Sequence, residues 1–261
     1  MSPAGGSLDV LVLGGGIGGL TAAWHAAQNG MRVGLIERAL MGGLVANVDQ
    51  LNGYPAPAKV GGGELAASLE LAVRDLGGEV FFEEAVGVDL AGRRKKVTTD
   101  AGVHIADRIV LALGARLRPL DVPGSDRLWG RGVSQCAFCD AGLFNERSVV
   151  VVGGGNAALQ EALHLCDFAA QVVLVHRGRR LTAMPYYAQQ AARRPNLHFR
   201  WSSEVMEVIG ETTVDGVRIR HVQTGREEIL ACDGVFPFIG LIPNTEVLAG
   251  SVDLAADGRV E

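Results

Sequence analysis

The sequence lacks three features that would each assign the protein to a particular class. It has no excess of positive charge, since 24 Lys and Arg stand against 29 Asp and Glu, and this balance disfavours a nucleic-acid-binding surface. It has no run of about 18 uninterrupted apolar residues, and residues 1–7 carry neither the basic region nor the apolar stretch of a signal peptide. We therefore expect a cytoplasmic protein with neither a nucleic-acid partner nor a membrane partner.

Cysteine is also scarce, with four in 261 residues. Four are too few, and these are too unevenly spaced, for a structural disulfide framework. Cys166 and Cys232 lie within apolar runs, and we expect them to be core residues. What the sequence does contain is 48% hydrophobic and 20% charged residues, which is typical of a globular protein long enough for two domains.

A first glycine-rich turn, GGGIGG at residues 14–19, follows a short apolar run. Residues 8–13 are predicted to form a buried parallel strand, and residues 18–28 carry apolar side chains at helical spacing. Residues 32–37 are predicted to be the next strand. Strand, glycine turn, helix and strand together indicate a dinucleotide-binding unit.

Each fingerprint glycine of this turn has a physical role in such a unit. Gly14 permits the tight turn, Gly16 lets backbone amides approach a pyrophosphate, and Gly19 allows close helix packing. Glu37 stands 23 residues after Gly14, at the end of the second strand. A carboxylate there accepts hydrogen bonds from both ribose hydroxyls and repels a 2′-phosphate, so this site is predicted to bind FAD or NAD and not NADP.

A second unit of the same kind begins at residue 148. Residues 148–152 are a predicted strand, a helix runs to about Asp167, and residues 171–175 are the next strand. The fingerprint positions between the first strand and the helix are held by Gly153, Gly155 and Ala158.

The two units differ at the end of their second strand. The position 23 residues after Gly153 is His176, followed by Arg177, with Arg179 and Arg180 close behind. Arginine forks suit phosphate oxygens, so this site is predicted to prefer NADPH over NADH. The alternative is an exposed basic turn with no ligand.

A pair of cysteines, Cys136 and Cys139, stands shortly before the second unit. Two thiols at this spacing can form and break a disulfide with little chain movement. Zinc is the competing interpretation, but Cys166, Cys232 and scattered histidines do not supply a second close ligand pair, so no metal site is expected. Asp140 is a candidate proton carrier for disulfide reduction, or else a turn or helix-cap aspartate.

Over nearly its whole length the chain resembles the low-molecular-weight thioredoxin reductases, which are class II pyridine nucleotide-disulfide oxidoreductases. Beyond the two glycine turns, the motifs that carry the resemblance are Gly42-Gly43-Leu44, Ala112-Leu113-Gly114-Ala115, Val122-Pro123-Gly124, Cys136-Ala137-Phe138-Cys139-Asp140, Val175-His176-Arg177, Asp233-Gly234-Val235-Phe236, Ile239-Gly240 and Pro243-Asn244-Thr245. The resemblance implies an α/β fold of two Rossmann-like, three-layer domains. An FAD domain would span residues 1–117 and resume at 244–261, and an NADPH domain carrying the cysteine pair would span 118–243.

The resemblance also implies the activity. NADPH reduces FAD, FAD reduces the Cys136–Cys139 disulfide, and the dithiol reduces thioredoxin or a similar small disulfide protein. Cys139 would face the flavin, Cys136 would form the mixed disulfide with the partner, and Asp140 would handle the proton. The NADPH domain would rotate between two orientations near Pro119 and Pro243, and the protein would be a homodimer.

The cofactor-binding residues expected from the two fingerprints and the resemblance fall into two groups. The first is Gly14, Gly16, Ile17, Gly18, Gly19, Glu37, Gly43, Leu44, Asn52 and Gly114. The second is Gly153, Gly155, Asn156, Ala157, His176, Arg177, Arg180, Ile239 and Gly240.

Three departures from the family pattern leave alternatives open. Gly178 interrupts the usual pair of arginines after the histidine, which bears on coenzyme preference, and residues 52–57 replace the usual motif near the flavin. The chain also ends at Glu261, where the returning FAD segment is expected to begin, so we expect a fragment of a longer product rather than an FAD site lacking one wall. The alternative functions are a dithiol oxidase acting on a small molecule and a non-catalytic nucleotide-binding remnant.

Overall fold

The computed structural model describes residues 8–48, 51 and 60–261. They form two compact units: one ends at Arg116 and resumes with Ile242–Glu261, and the other is Leu117–Leu241. Each unit has a sheet with four parallel strands and its own core. Within the ranges given, no helix is both long and apolar enough to cross a membrane.

The first unit is built on a six-stranded sheet with the order β3-β2-β1-β6-β5-β4. Its strands are β1 (Leu8–Leu13), β2 (Val33–Glu37), β3 (Glu79–Phe82), β4 (Ala85–Asp89), β5 (Lys95–Thr99) and β6 (Val103–Leu111). Its helices are α1 (Ile17–Gln28) and α2 (Gly62–Asp75), with short 3-10 turns at Gly43–Asn47 and Glu246–Leu248. Strands β3, β2, β1 and β6 are parallel, whereas β6, β5 and β4 are antiparallel.

The antiparallel strands of this unit continue the parallel sheet through β6. The first part of β6, residues 103–106, pairs with β5, and the part from Ala106 to Leu111 pairs with β1. The strand is long enough, at nine residues, to pair with β5 along its first part and with β1 along the rest.

The second unit carries two sheets. The parallel sheet has the order β10-β9-β8-β14 and the antiparallel sheet the order β11-β12-β13. Its strands are β8 (Ser148–Val152), β9 (Gln171–His176), β10 (Leu197–Trp201), β11 (Ser203–Ile209), β12 (Gly216–His221), β13 (Glu227–Ala231) and β14 (Gly234–Pro237). Its helices are α3 (Ala137–Asp140), α4 (Asn156–Leu165) and α5 (Pro185–Ala191), with a 3-10 turn at Ala141–Phe144. The chain passes between the units along β7 (Ala115–Leu117) and β15 (Leu241–Pro243), which pair with each other.

The central strands are apolar on both faces because each face covers a different core. In β1, Val10 and Val12 pack against helix α1, while Leu11 and Leu13 pack on the opposite face. Strand β8 repeats this alternation, as the period of two along a strand requires. A fully buried side chain of this kind contributes about 1.5–3 kcal/mol. Both strands are therefore firmly held, and each ends at one of the glycine turns.

Candidate active site

The two cysteines of the CxxC pair are joined by a disulfide, with their Cα atoms 5.2 Å apart. Cys136 precedes the first residue of α3, and its Sγ accepts the backbone N–H of Cys139 at 3.1 Å. The carbonyl of Cys136 accepts the N–H of Asp140, and the Ser134 hydroxyl accepts the N–H of Cys136. Cys139 is exposed and Cys136 half-buried. The Cys139 end of the disulfide is therefore exposed to solvent.

An exposed row of rings begins between the two cysteines. The ring of Phe138 lies 5.8 Å from the ring of His164, which lies 5.2 Å from the ring of Phe168. Phe138 and Phe168 are both exposed. Sequence reasoning did not single out these three residues, because Phe138 meets His164 only when α3 packs on α4.

Glu161, on α4, lies against the start of the dithiol helix. Its Oε2 accepts the backbone N–H of Ala137 at 3.2 Å, and the N–H of Phe138 also donates to its carboxyl group. Burial raises the pKa of this carboxyl group to about 7, against the smaller opposing effect of the two N–H donors. Glu161 was not identified as a site residue from the sequence. The available signal was its position three residues after the buried Ala158, toward the inner side of α4.

The second glycine turn places the start of α4 at the end of β8. Gly153 has φ 145°, a conformation that other residues rarely adopt, and a Cβ atom there would collide with the carbonyl of Phe238. Helix α4 begins after Gly155 with no side-chain cap, and Asn156 and Ala157 in its first turn are exposed. The side chain of Asn156 accepts the N–H of Met184 at 2.7 Å. An uncapped helix start after a glycine turn suits an anionic group.

The basic loop after β9 is held in a definite arrangement. A ring nitrogen of His176, Nε2, lies 3.0 Å from the carbonyl oxygen of Arg180, and its ring packs over Gly154. Arg179 donates to the side-chain oxygen of Gln223 at 2.9 Å. Arg177 and Arg180 are exposed, and within the described ranges neither guanidinium group forms an ion pair. Of the arginines in this loop, these two are therefore available to a phosphate.

The first glycine turn opens onto a cavity of 1260 Å³ in the first unit. Among the residues predicted to bind a cofactor, the cavity brings together Gly14, Gly16, Ile17, Gly18, Glu37, Gly43, Leu44 and Gly114. Gly19 lies behind the turn, buried against Gly14. The predicted residue Asn52, with the motif at 52–57, falls outside the described residues.

The cavity fits a dinucleotide at two points. Helix α1 begins after Gly16 with no side-chain cap, and a Cβ atom at Gly16 or Gly18 would meet no atom within 4 Å, so bare backbone faces the cavity and suits a pyrophosphate. The carboxylate of Glu37 accepts the N–H of Gly15 at 2.7 Å and that of Ala39 at 2.9 Å. These bonds orient Glu37 and leave other lone pairs for ribose hydroxyl groups. The uncapped start of α1 and the Glu37 carboxylate therefore fit the pyrophosphate and the adenosine ribose of FAD.

Another wall of the cavity comes from the returning segment of the chain. Arg116 forms an ion pair with Glu246 at 2.7 Å and donates to the side-chain oxygen of Asn244 at 3.0 Å. The amide nitrogen of Asn244 donates to the carbonyl of Leu113 at 3.0 Å, and its backbone N–H donates to Gly114. Sequence reasoning noted Asn244 only as part of a motif and did not identify Arg116 or Glu246 as site residues.

Ile239 and Gly240 lie in the second unit, outside the residues that line this cavity. Ile239 packs against the core beside the antiparallel sheet. Gly240 has φ 116°, and its carbonyl accepts the N–H of Arg118. Their role in cofactor binding stays a prediction.

Comparison with known proteins identifies the family to which these features belong. The family model for pyridine nucleotide-disulphide oxidoreductases matches residues 8–261. The chain is 36% identical to the thioredoxin reductase of Treponema pallidum over 241 residues, which is 92% of this chain and 78% of that protein. It is also 36% identical to the thioredoxin reductase of Streptomyces coelicolor, covering 97% of this chain and 80% of the relative.

A solved structure resembles the whole chain closely. The crystal structure of Lactococcus lactis thioredoxin reductase aligns with a TM-score of 0.95 at 32% identity, covering 97% of this chain and 84% of that one. The predicted α/β, Rossmann-like fold is thereby confirmed, and the predicted cofactors FAD and NADPH are those that the family uses. With a family model spanning residues 8–261, a redox-type CxxC disulfide and relatives at 36% identity, the chain belongs to the thioredoxin reductases of the pyridine nucleotide-disulphide oxidoreductase family.

Proposed function

We propose that this chain passes electrons from NADPH through FAD to the Cys136–Cys139 disulfide and on to thioredoxin or a similar small disulfide protein. The observation that carries the proposal is the disulfide at the start of α3, with its exposed Cys139, ahead of a dinucleotide-type turn in the sequence. Membership of the thioredoxin reductase family supports it. We further propose that the protein acts in the cytoplasm, as the sequence predicts, and that it is a homodimer, as the family resemblance implies.

The proposal assigns FAD to the first unit and NADPH to the second. Bound FAD would supply the two-electron chemistry that links a nicotinamide to a disulfide. The first turn of α1 would hold its pyrophosphate, and Glu37 would orient its adenosine ribose. In the second unit, the first turn of α4 would hold the pyrophosphate of NADPH, and the exposed Arg177 and Arg180 would contact the 2′-phosphate.

The proposal assigns a different chemical role to each cysteine. In the reduced protein, the N–H of Cys139 that now contacts the Sγ of Cys136 at 3.1 Å would stabilise a thiolate there. Cys136 would therefore attack the partner disulfide, forming one S–S bond as the partner's S–S bond breaks and releases a thiolate. Cys139 would then displace the second partner thiolate and restore the disulfide. Asp140, bonded through its backbone to Cys136, would carry the proton of the dithiol.

A spectrum and a coupled assay on the purified full chain test the proposal. We expect a flavin spectrum that NADPH bleaches without oxygen, and NADPH-driven reduction of thioredoxin that falls to background in Cys136→Ser and in Cys139→Ser. Cys166→Ala is the matched control, because Cys166 is a buried free thiol. Equal rates in the wild type and in Cys139→Ser would refute the assigned role.

The same measurements distinguish the proposed reductase from the two alternative functions. Flavin that a small dithiol bleaches but NADPH does not would indicate a dithiol oxidase. Protein that binds no flavin after addition of excess FAD would indicate a nucleotide-binding remnant. Sedimentation of the purified chain would test the homodimer.

A further inference from the structure

Glu161 contacts the dithiol helix at the point where the helix begins. Its carboxyl group accepts the N–H of Ala137 at 3.2 Å and also takes the N–H of Phe138, the two residues that separate Cys136 from Cys139. Ala137 is completely buried, in the core cluster that also contains the inner side of α4. The backbone between the cysteines is therefore anchored to α4 through one side chain.

Among the residues that the structure describes, no cation pairs with this carboxyl group. Within the described part of the chain, Glu161 forms no ion pair, and the factors that set its pKa are burial and the two backbone N–H groups alone. Four other titratable side chains, besides the paired cysteines, stand on the elements packed around it: His164 on α4, Asp140 on α3, and Tyr186 and Tyr187 on α5. The hydroxyl of Tyr187 donates to Gln160. With a pKa of about 7, the carboxyl group changes charge near neutral pH.

A negative charge at this place acts on the reduced cysteine. The N–H groups at the start of a helix carry partial positive charge and favour a nearby thiolate. A carboxylate that occupies two of these N–H groups offsets that charge. Its effect on the thiol is therefore opposite to that of the Cys139 N–H, which contacts the Sγ of Cys136.

We propose that Glu161 is a positioning residue for the dithiol: it anchors the start of α3, and its ionised form holds the reduced Cys136 closer to the neutral thiol. This inference rests on the proposed redox role of the cysteine pair. It adds a means of setting how much Cys136 thiolate the reduced enzyme carries at a given pH.

Alkylation of the reduced full chain tests the inference. The protein is reduced with dithiothreitol, freed of reductant and treated with iodoacetamide from about pH 5 to 9, and modification of Cys136 is followed by peptide mass spectrometry. Because only the thiolate reacts, we expect Glu161→Gln to react about three- to tenfold faster than wild type near pH 7, which corresponds to a thiol pKa lower by about 0.5–1. The glutamine oxygen can still accept the two N–H groups.

Two further variants make the result specific. Asp167→Asn also removes one negative charge, but Asp167 lies beyond the end of α4 and pairs with Arg194, so its alkylation profile should match wild type. His164→Gln should also match wild type. The same acceleration in either variant would overturn the proposal, because the effect would then not belong to Glu161.

The pH dependence of Cys136 alkylation in the wild type provides an independent test if Glu161→Gln does not fold. Ionisation of Glu161 opposes ionisation of the thiol, so the wild-type rate should rise less steeply than tenfold per pH unit near pH 7. A profile that fits one ionising group would refute the proposal, as would an unchanged or slower rate in Glu161→Gln. Alkylation needs no FAD, NADPH or thioredoxin, so failure of this test and failure of the proposed reductase activity are distinguishable.

Discussion

Substitution of Gly19 by Ala tests how closely α1 must approach the first glycine turn. Gly19 is buried in the first turn of α1, and a Cβ atom there would collide with the carbonyl oxygen of Gly14 and crowd the side chain of Ala112. At the neighbouring Gly18, a Cβ atom would meet nothing within 4 Å. The two positions share a helix turn and differ in the space available.

The expected magnitudes follow from that difference. Replacing glycine by alanine within a helix stabilises it by about 1 kcal/mol, and Gly18→Ala should gain up to this amount. In Gly19→Ala the helix must move by about 1 Å away from the turn, which costs about 1–3 kcal/mol through disrupted packing. The free energy of unfolding of Gly19→Ala should therefore equal that of wild type or be lower by up to about 2 kcal/mol. It should be clearly lower than the free energy of unfolding of Gly18→Ala.

The helix movement should also weaken flavin binding. The backbone N–H groups at the start of α1 would shift by a similar distance relative to a bound pyrophosphate, and we expect at least about a tenfold loss of FAD affinity. The assay is urea unfolding of the flavin-free chain together with FAD titration. Gly63→Ala on α2, where a Cβ atom makes an ordinary 3.5 Å contact, is the control for FAD binding. A Gly19→Ala protein with wild-type FAD affinity and the stability of Gly18→Ala would refute the reasoning.

Two further predictions follow from the second unit. The pKa of Glu161 is raised from 4.5 to about 7 by burial, so the folded state holds this proton more tightly than the unfolded state and loses stability as pH rises from about 4.5 to 7. Between pH 4.5 and pH 8, the free energy of unfolding of Glu161→Gln in urea should rise by about 2–3 kcal/mol relative to that of wild type. A difference between the two proteins that does not vary with pH would contradict this. For the coenzyme, Arg177→Ala and Arg180→Ala should each raise the KM for NADPH about tenfold and leave that for NADH unchanged. Arg179→Ala should have the smaller effect because Arg179 is held by Gln223, and equal KM changes in all three variants would show that the hydrogen bond does not matter.

Features set by short stretches of chain were predictable. Strand β8 and the turn at Gly153 lie where apolar runs end in glycine, because strand pattern and turn conformation depend on neighbouring residues. The contrast between Glu37 and His176 was visible for the same reason, since each follows its glycine turn by a constant number of residues.

Other features depend on residues that are distant in sequence. Asn244 reaches Leu113 across 131 positions, and Glu161 reaches Ala137 across 24. No periodicity within either segment encodes these contacts, because they depend on how a helix or a returning strand packs on its neighbours.

The sequence by itself determined that this chain has two dinucleotide turns of different charge and a pair of redox-type cysteines, because these are local patterns. Only the tertiary structure decided which groups surround them. Packing of α3 on α4 placed the carboxyl group of Glu161 on the backbone between the cysteines. Pairing of Arg179 with Gln223 held one arginine of the basic loop and left Arg177 and Arg180 exposed. The physical reason is that burial and hydrogen bonding between distant segments set the charge and orientation of a side chain, and both arise only when those segments meet.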